Sequence, residues 1–587
     1  MLPLLLAWSV FSTTLLGAGD AASISGTVEY AGDLRLSAVH VALFRVDTDV
    51  ESGLTKRRLF GADMLQPLKA PTGDALAEAS RQDSTHWTFV FHGLAPGNYT
   101  AVAFEPADAG HGGWLDFSPP RRQALGFYYP QAERETVAPF QDLVRARTIA
   151  VTESTHCVSV DITMYAPHLM PAPQSVSHGT LRRARGLPVS ILHVHGNAYE
   201  RGYAHGLLLA QQIIDFFDFF LIEDMVRSTD FYLTRMVPAL EAHATVSMQF
   251  RQGAEGLLAG MRAANISLRT CLGRDMEFID VVALNSYSDA LAWTSGSAAP
   301  RSSCSQFVFW GDAVSLDLGN GTIAGRNMDG ENDVRKLTVN NLIIHAVEPS
   351  EVGLQRYVHV MWPGFLGTSS GFNEQGRYLM ENAGCNPPGA PAKDSPVLRD
   401  VISSLLLDVE IGKHASASEL ESAILQRRSK AGGSCVGGCI LVSAEPFTPG
   451  KDAGFVYEGD RFGGAMRLPS DALPVAKQAI MATNHYLRYN TVRGHTDRCN
   501  GVSASFSSLA RYFAGQNKIE AWMRRGLSVG LDDVKELLQT TAHGTSEHSI
   551  IFKPNEMRFE LAVASPNGVW DAPYSLWEEF SFDEMFQ

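Results

Sequence analysis

Cys304 opens a run, Ser302 to Gly330, whose residue types and spacing suit nucleophilic chemistry. Gln306 to Trp310 reads as a strand, Gly319-Asn320-Gly321 as a turn, and Thr322 to Gly325 as a returning strand. A hairpin centred on Leu316 to Gly321 brings Cys304 opposite the stretch Arg326 to Asp329. A thiol, a guanidinium and a carboxylate then converge at one end of a sheet. A free thiol has a pKa of roughly 8.5, and a neighbouring arginine favours the thiolate. If the chain is cut before Cys304, the new α-amine, with a reference pKa of about 7.7 to 8.0, becomes a base attached to the nucleophile itself. Asp329 is spaced to hold that amine. Alone, Cys304 would read as a disulfide partner or a small buried side chain; the register with Arg326 and Asp329 moves the reading to nucleophile.

Three other groupings suggest chemistry and are set aside. His193, His195 and His205 lack ligand spacing on one established face and have no carboxylate nearby to complete a set, so no metal site is expected. Gly367-Thr368-Ser369-Ser370-Gly371 fits the G-x-S-x-G nucleophile elbow, which needs a strand before it and a helix after it. Val358 to Trp362 supplies the strand, but Phe372-Asn373-Glu374-Gln375-Gly376 reads as a turn. Cys435 and Cys439 are spaced one residue wider than C-x-x-C, and no pair completes a zinc set. With Cys304 kept free, Cys157, Cys271, Cys385, Cys435, Cys439 and Cys499 are expected to form up to three disulfides in an exported chain.

The elements that must position this chemistry fall into blocks. Residues 1–22 read as a signal peptide, with an apolar run to Leu16 followed by small residues to Ala22, though without a basic start. Residues 23–166 alternate as short strands: Ser25 to Tyr30, Val39 to Phe44, Trp87 to Phe91, Tyr99 to Ala103, Thr148 to Val151 and Val158 to Ile162. Such strands, separated by turn residues, predict a small all-β sandwich. Residues 167–188, rich in Pro, Ser and Arg, read as an exposed linker. Residues 189–303 begin with a strand, Ile191 to Gly196, and continue as helices. Residues 304–587 form the catalytic region.

Composition bounds the function. The chain has 587 residues, 45% of them hydrophobic and 19% charged, so it is an ordinary globular protein with ample length for a core. A net charge of −15 opposes binding to phosphate backbones, so no nucleic-acid partner is expected. After the signal, the best membrane-span candidate, Phe216 to Ile222, is broken by Asp215, Asp218, Glu223 and Asp224. The mature protein is expected to be soluble, without an integral membrane segment, and secreted or periplasmic.

Two resemblances sharpen this. "SGTVEYAG", "FVFHGLAPGNYTAVAFEP" and "VSVDITMY" resemble the carboxypeptidase-regulatory-like domain, an accessory module. The Ser302 to Gly330 segment resembles the N-terminal nucleophile hydrolases of the acyl-coenzyme A:6-aminopenicillanic acid acyltransferase family, relatives of choloylglycine hydrolases, acid ceramidase and phospholipase B-like proteins. "GNAYERGYAHGLLL" from Gly196, "GTSSGFNEQG" from Gly367, "ATNHY" from Ala482 and "HSIIFKPNEMRFELAVA" from His548 follow in the family's order. The resemblance implies an α+β fold, a four-layer αββα sandwich, here preceded by the β-sandwich. It implies Cys304 as nucleophile after autocatalytic cleavage of the Ser303–Cys304 bond, with the cleaved chains staying associated. It implies Arg326 and Asp329 as groups that orient and charge-balance the new terminus. Asn373 and Asn484 are implied as oxyanion donors or amine-orienting groups, with Arg498 as a further cation. The family enzyme has Gly before its cysteine where this chain has Ser303. The implied reaction is acyl transfer from a linear amide, a small-molecule N-acyl substrate, through a thioester, without a cofactor. Ester cleavage by a phospholipase B-like enzyme and a non-catalytic exported binding protein are the alternatives.

Overall fold

A computed structural model describes the strands between residues 22 and 164, and, apart from short gaps, residues 168–294, 304–330, 335–367, 370–384, 439–489, 502–542, 546–564 and 571–587. The expected signal peptide, Ser303, Ser369 and Arg498 lie outside the described residues.

Between residues 22 and 164, two sheets face each other. One carries Ala22–Tyr30, His86–Leu94 and Cys157–Met164, with Ala22–Tyr30 parallel to Cys157–Met164. The other is built around His40–Val46 and Gly97–Phe104. Alternation places Ile24, Val28, Trp87, Phe89 and Phe91 of the first against Val41, Ala101 and Ala103 of the second in one buried cluster. This is a β-sandwich in the region where alternation predicts one.

The rest of the described chain forms two larger sheets with helices outside both. The ten-stranded sheet runs, in spatial order, from Gln174–Val176 and Gly179–Arg183 through Ser190–Gly196, Ile343–Pro349, Tyr357–Met361, Ser370–Asn373, Tyr378–Ala383, Cys439–Ala444 and Gly454–Asp460 to Gly463–Arg467. Its neighbours are antiparallel except for Ser190–Gly196 beside Ile343–Pro349, a parallel pair that needs a long crossover. That crossover carries the helices and the nucleophile hairpin. The six-stranded sheet orders Ala479–Ala482, Ser305–Trp310, Thr322–Asp329, Ser546–Lys553, Arg558–Val563 and Trp577–Ser581, all antiparallel.

The sheets pack face to face: Phe372 of the first stacks on Phe552 of the second with ring centroids 4.2 Å apart. Outside the six-stranded sheet, Phe307, Phe309, Ile323 and Ile551 pack against the helices Val502–Arg524 and Leu531–Thr541 through Ile519, Val534, Leu537 and Leu538. Outside the ten-stranded sheet lie the helices Ala198–Asp215 and Met248–Ala263. The fold is α+β, an αββα four-layer arrangement. Ala198–Asp215 continues as a π-helix to Val226, and this unit is long and apolar enough to span a membrane, but 83% of its apolar window is buried in the protein.

Two expectations are corrected. The stretch expected as linker holds an edge hairpin, Gln174–Val176 with Gly179–Arg183, turned at His178 with φ 67°. Its prolines and arginines reflect an edge exposed on one side. The arginines make specific contacts: Arg182 donates to the Glu584 carbonyl, and Arg185 pairs with Glu578 at 2.8 Å. The expectation of up to three disulfides is reduced, since Cys157 and Cys271 are thiols, whereas Cys304 is a thiol as expected. Cys157 is exposed with Sγ 3.4 Å from Ser25 Oγ, whereas Cys271 is buried among the helices, so neither meets another described cysteine. The side chains of Cys385, Cys435, Cys439 and Cys499 lie outside the described residues.

Candidate active site

The hairpin register follows the sequence reading. Ser305 pairs with Asn327, Gln306 with Arg326 and Trp310 with Thr322. The turn uses Gly319 at φ 64° and Asn320 at φ 52°, the left-handed conformation that glycine and asparagine accept most readily. Alternation then decides which side chains meet. Cys304, Val308 and Trp310 face the ten-stranded sheet together with Ala324 and Met328, while Phe307, Phe309 and Ile323 face the outer helices. Arg326 shares the inner face, and its Nη2 lies 3.4 Å from Cys304 Sγ. The same guanidinium donates to the Glu381 carbonyl at 2.5 Å and to the Ser370 hydroxyl, so it is held from the opposite sheet. Cys304 is 2% exposed.

The Cys304 nitrogen donates to Asn484 Oδ1 at 2.9 Å. Asn484 is fixed on both sides: its Nδ2 donates to the Ala383 carbonyl at 2.9 Å, and its backbone N–H donates to Ser508 Oγ at 2.8 Å. The flanking residues of the "T-N-H" element bind the same serine, Thr483 Oγ1 at 3.0 Å and His485 Nδ1 at 2.8 Å. Burial pushes His485 down to about 4, so it is a neutral strut. In this geometry Asn484 presents its oxygen to the Cys304 nitrogen and gives one amide hydrogen to the Ala383 carbonyl, an arrangement suited to orienting that nitrogen.

Three partners escaped the sequence reading. Arg511, on the helix Val502–Arg524, donates through Nη1 to the Cys304 carbonyl at 2.7 Å and to Ser305 Oγ at 2.8 Å, and through Nη2 to Asn484 Oδ1 at 2.8 Å. Burial pulls its guanidinium below the ordinary value, and the charges of Asp329 and Cys304 oppose that pull. Asn382 donates to the Cys304 carbonyl at 3.3 Å and the Thr483 carbonyl at 2.9 Å. Ser370 is the third, through Arg326. The only sequence signal for Arg511 was its spacing three residues after Ser508 on one helix face.

Asp329 lies at the end of the same strand as Arg326, past a register shift after Met328, and accepts from Ser546 Oγ at 2.5 Å. Its charge acts on Arg511, and the group that meets the Cys304 nitrogen is Asn484. Asn373 occupies the turn that its Asn-Glu-Gln-Gly context suggests. It ends the strand Ser370–Asn373, roughly 10 Å along the chain from Ser370. Its Oδ1 accepts from the N–H groups of Gln375 and Arg377, both at 3.1 Å, which is turn chemistry. The same strand removes the nucleophile-elbow alternative, because Ser370–Asn373 is extended where a helix is required.

Among the described residues, no group of three or more His, Cys, Asp or Glu side chains forms a metal-binding set. His193 pairs with Glu348 at 3.2 Å, and His205 lies on the far side of the same strand, so the three sequence histidines do not converge.

No protein-family model matches the chain, and no curated protein does. Among solved structures it is similar to an N-acylethanolamine-hydrolyzing acid amidase ortholog from Caenorhabditis elegans, at 16% identity and a TM-score of 0.29, over 47% of this chain and 99% of that one. It is similar to a variant of conjugated bile acid hydrolase from Clostridium perfringens, at 9% identity and a TM-score of 0.30, over 48% of this chain and 94% of that one. It is also similar to penicillin V acylase from Agrobacterium tumefaciens, at 13% identity and a TM-score of 0.26, over 44% and 83% respectively.

Proposed function

We propose that this protein is a cysteine amidohydrolase of the N-terminal nucleophile type, activated by cleavage between Ser303 and Cys304. The observation that carries the reading is the arrangement around one residue: Cys304 Sγ 3.4 Å from Arg326 Nη2, with the nitrogen of the same residue 2.9 Å from Asn484 Oδ1. A thiol and its own amine, each with a fixed partner, are what this mechanism needs.

After cleavage the Cys304 amine takes the thiol proton, and the thiolate, stabilised by Arg326, attacks the substrate carbonyl. The C–N bond breaks, the amine proton passes to the leaving nitrogen, and a thioester remains on Cys304. Water, deprotonated by the same amine, hydrolyses the thioester and returns the free thiol. Arg511 and Asn484 hold the terminus in the attacking rotamer throughout. The substrate class is a small N-acyl amide, the protein acts outside the cytoplasm, and the β-sandwich is an accessory module.

Intact-mass measurement of the purified protein tests the activation step, and fragments meeting at Ser303/Cys304 are expected. A panel of N-acyl amides and lysophospholipid esters tests the chemistry. Amide hydrolysis lost in Cys304→Ala and kept in Ser369→Ala is expected. An uncut chain that hydrolyses the panel normally, or activity indifferent to Cys304→Ala, overturns the proposal.

A further inference from the structure

A cavity of about 60 Å³ lies on the outer face of the ten-stranded sheet, the face turned away from Cys304, beside the N-terminal ends of the helices Ala198–Asp215 and Met248–Ala263. One water needs roughly 10–15 Å³ of such space, so the cavity has room for a ligand of about four to six non-hydrogen atoms. Its walls are apolar at Val194, Phe250 and Leu366 and polar at His205, His345 and Gln249.

The polar groups include buried atoms with no partner in the protein, and two of them, on His205 and Gln249, are donors. His205 Nε2 accepts the Gly364 N–H at 3.1 Å, so the proton of the neutral ring sits on Nδ1. Burial keeps that ring neutral, pushing it down to about 3. His205 is 1% exposed, and its Nδ1 has no protein partner. His345, 4% exposed, pairs through Nδ1 with His359 Nε2 at 2.8 Å, and its own Nε2 has no protein partner. Gln249 Nε2 is likewise buried without one. Leaving buried donors unmet costs about 1–3 kcal/mol each, so a site with several points to a missing acceptor.

Charge selects the acceptor. Both helices begin here, at the caps Asn197 and Ser247, and helix N-termini favour an anion. Glu351 already takes the Ala198 N–H at 2.9 Å and one Arg201 Nη1 proton at 2.7 Å, showing the sign of charge that the first helix end accepts. The donors of His205 and Gln249 remain. We propose that this cavity binds a short-chain aliphatic carboxylate, its oxygens accepting from His205 Nδ1 and Gln249 Nε2 and its tail lying against Val194, Phe250 and Leu366.

Gly253 provides a test that leaves the helix pair intact. A Cβ there would sit 3.5 Å from Leu366 Cδ1 and 3.8 Å from the Ala198 carbonyl, ordinary contact distances, so a side chain starts there without overlapping backbone, and Gly253→Val is expected to reduce the cavity that Gly253 lines. Butyrate and butyramide are titrated calorimetrically into the full-length protein and its variants, alongside thermal melts. Butyrate binding is expected, with butyramide about ten-fold weaker because it lacks the charge. Gly253→Val should abolish butyrate binding with an unchanged Tm, and Gln249→Met, at a partly exposed position, should weaken it about five-fold. Absence of butyrate binding, equal binding of the two ligands, or butyrate binding that survives both substitutions overturns the proposal. The last result would also show butyrate bound elsewhere, and would leave the amidohydrolase reading untouched.

Discussion

Cys304 is met by a guanidinium at each end: Arg326 Nη2 at its sulfur and Arg511 Nη1 at its carbonyl oxygen. The two cations act on different atoms. Arg326 reaches the sulfur, whereas Arg511 binds the carbonyl and Asn484 Oδ1 together and so ties the Cys304 backbone to Asn484. Asn484 depends on this clamp and on Ser508, and its loss frees the Cys304 nitrogen to rotate. Asn484→Ala is expected to lower kcat/KM for amide hydrolysis by about 100-fold, in the range found when a fixed polar group is removed from a reacting centre. Asn373→Ala is expected to leave kcat within about three-fold of the unsubstituted protein and to lower stability by about 1–2 kcal/mol, because two backbone N–H groups lose their acceptor. Steady-state kinetics and denaturant melts on the pair check both. Equal kinetic damage at the two asparagines would contradict the geometry. In the sequence Asn373 sits in turn chemistry and Asn484 beside the apolar Ala479-Ile480-Met481, and both are candidates for the same role. The difference between them is made by partners far along the chain: Arg511 lies 207 residues from the carbonyl it binds, a separation no local pattern encodes.

At the scale of elements, the site depends on two sheets held at a fixed spacing and on helices that brace them from outside. The helices Ala198–Asp215 and Met248–Ala263 approach so closely that glycine is the only residue that fits at several crossings. A methyl group at Gly206 would overlap the Leu257 carbonyl, and one at Gly260 would overlap the Tyr203 carbonyl. Gly206→Ala is therefore expected to destabilise the protein by at least about 2 kcal/mol despite the gain in helix propensity. Gly253→Ala, whose Cβ would make only ordinary contacts with Leu366 and the Ala198 carbonyl, should be neutral or stabilising by up to about 1 kcal/mol. Urea melts of the two variants decide, and similar losses at both positions would refute the close-packing account. The hairpin that carries Cys304 and Arg326 was legible in the sequence because strand alternation and Gly-Asn-Gly turn chemistry are both local. The edge hairpin at 174–183 was not, because an edge strand exposes half its residues and so has the composition of a linker. The helix crossing was legible only as scattered glycines, since their purpose lies on the partner helix.

Across the whole molecule, the interior holds an unusual number of uncharged ionisable groups, and they set how stability varies with acidity. Burial pushes His205, His359 and His548 down to about 3 and His485 to about 4, and His345 lies well below its ordinary value. In the unfolded chain each titrates near 6.5. Between about pH 6.5 and 4 the unfolded state therefore binds protons that the folded state refuses, and stability falls as pH falls, by up to about 1.4 kcal/mol per histidine per unit. Asp218 acts in the opposite direction: burial raises its carboxyl to about 7, so the folded state holds a proton that the unfolded state has already lost. From about pH 4 to 7 that single group loses stability as pH rises. Five histidines outweigh one carboxylate throughout this range, because even at about pH 7 the unfolded histidines together bind more protons than folded Asp218 retains. The thermal midpoint at constant ionic strength is thus expected to climb steeply from about pH 4.5 to about 6.5 and to level off above about pH 7. Asp218→Asn, which removes the one opposing group, should make the climb between about pH 4.5 and 7 steeper. A midpoint that is flat or rises on acidification from pH 6.5 would mean that these histidines are not held neutral in the folded protein.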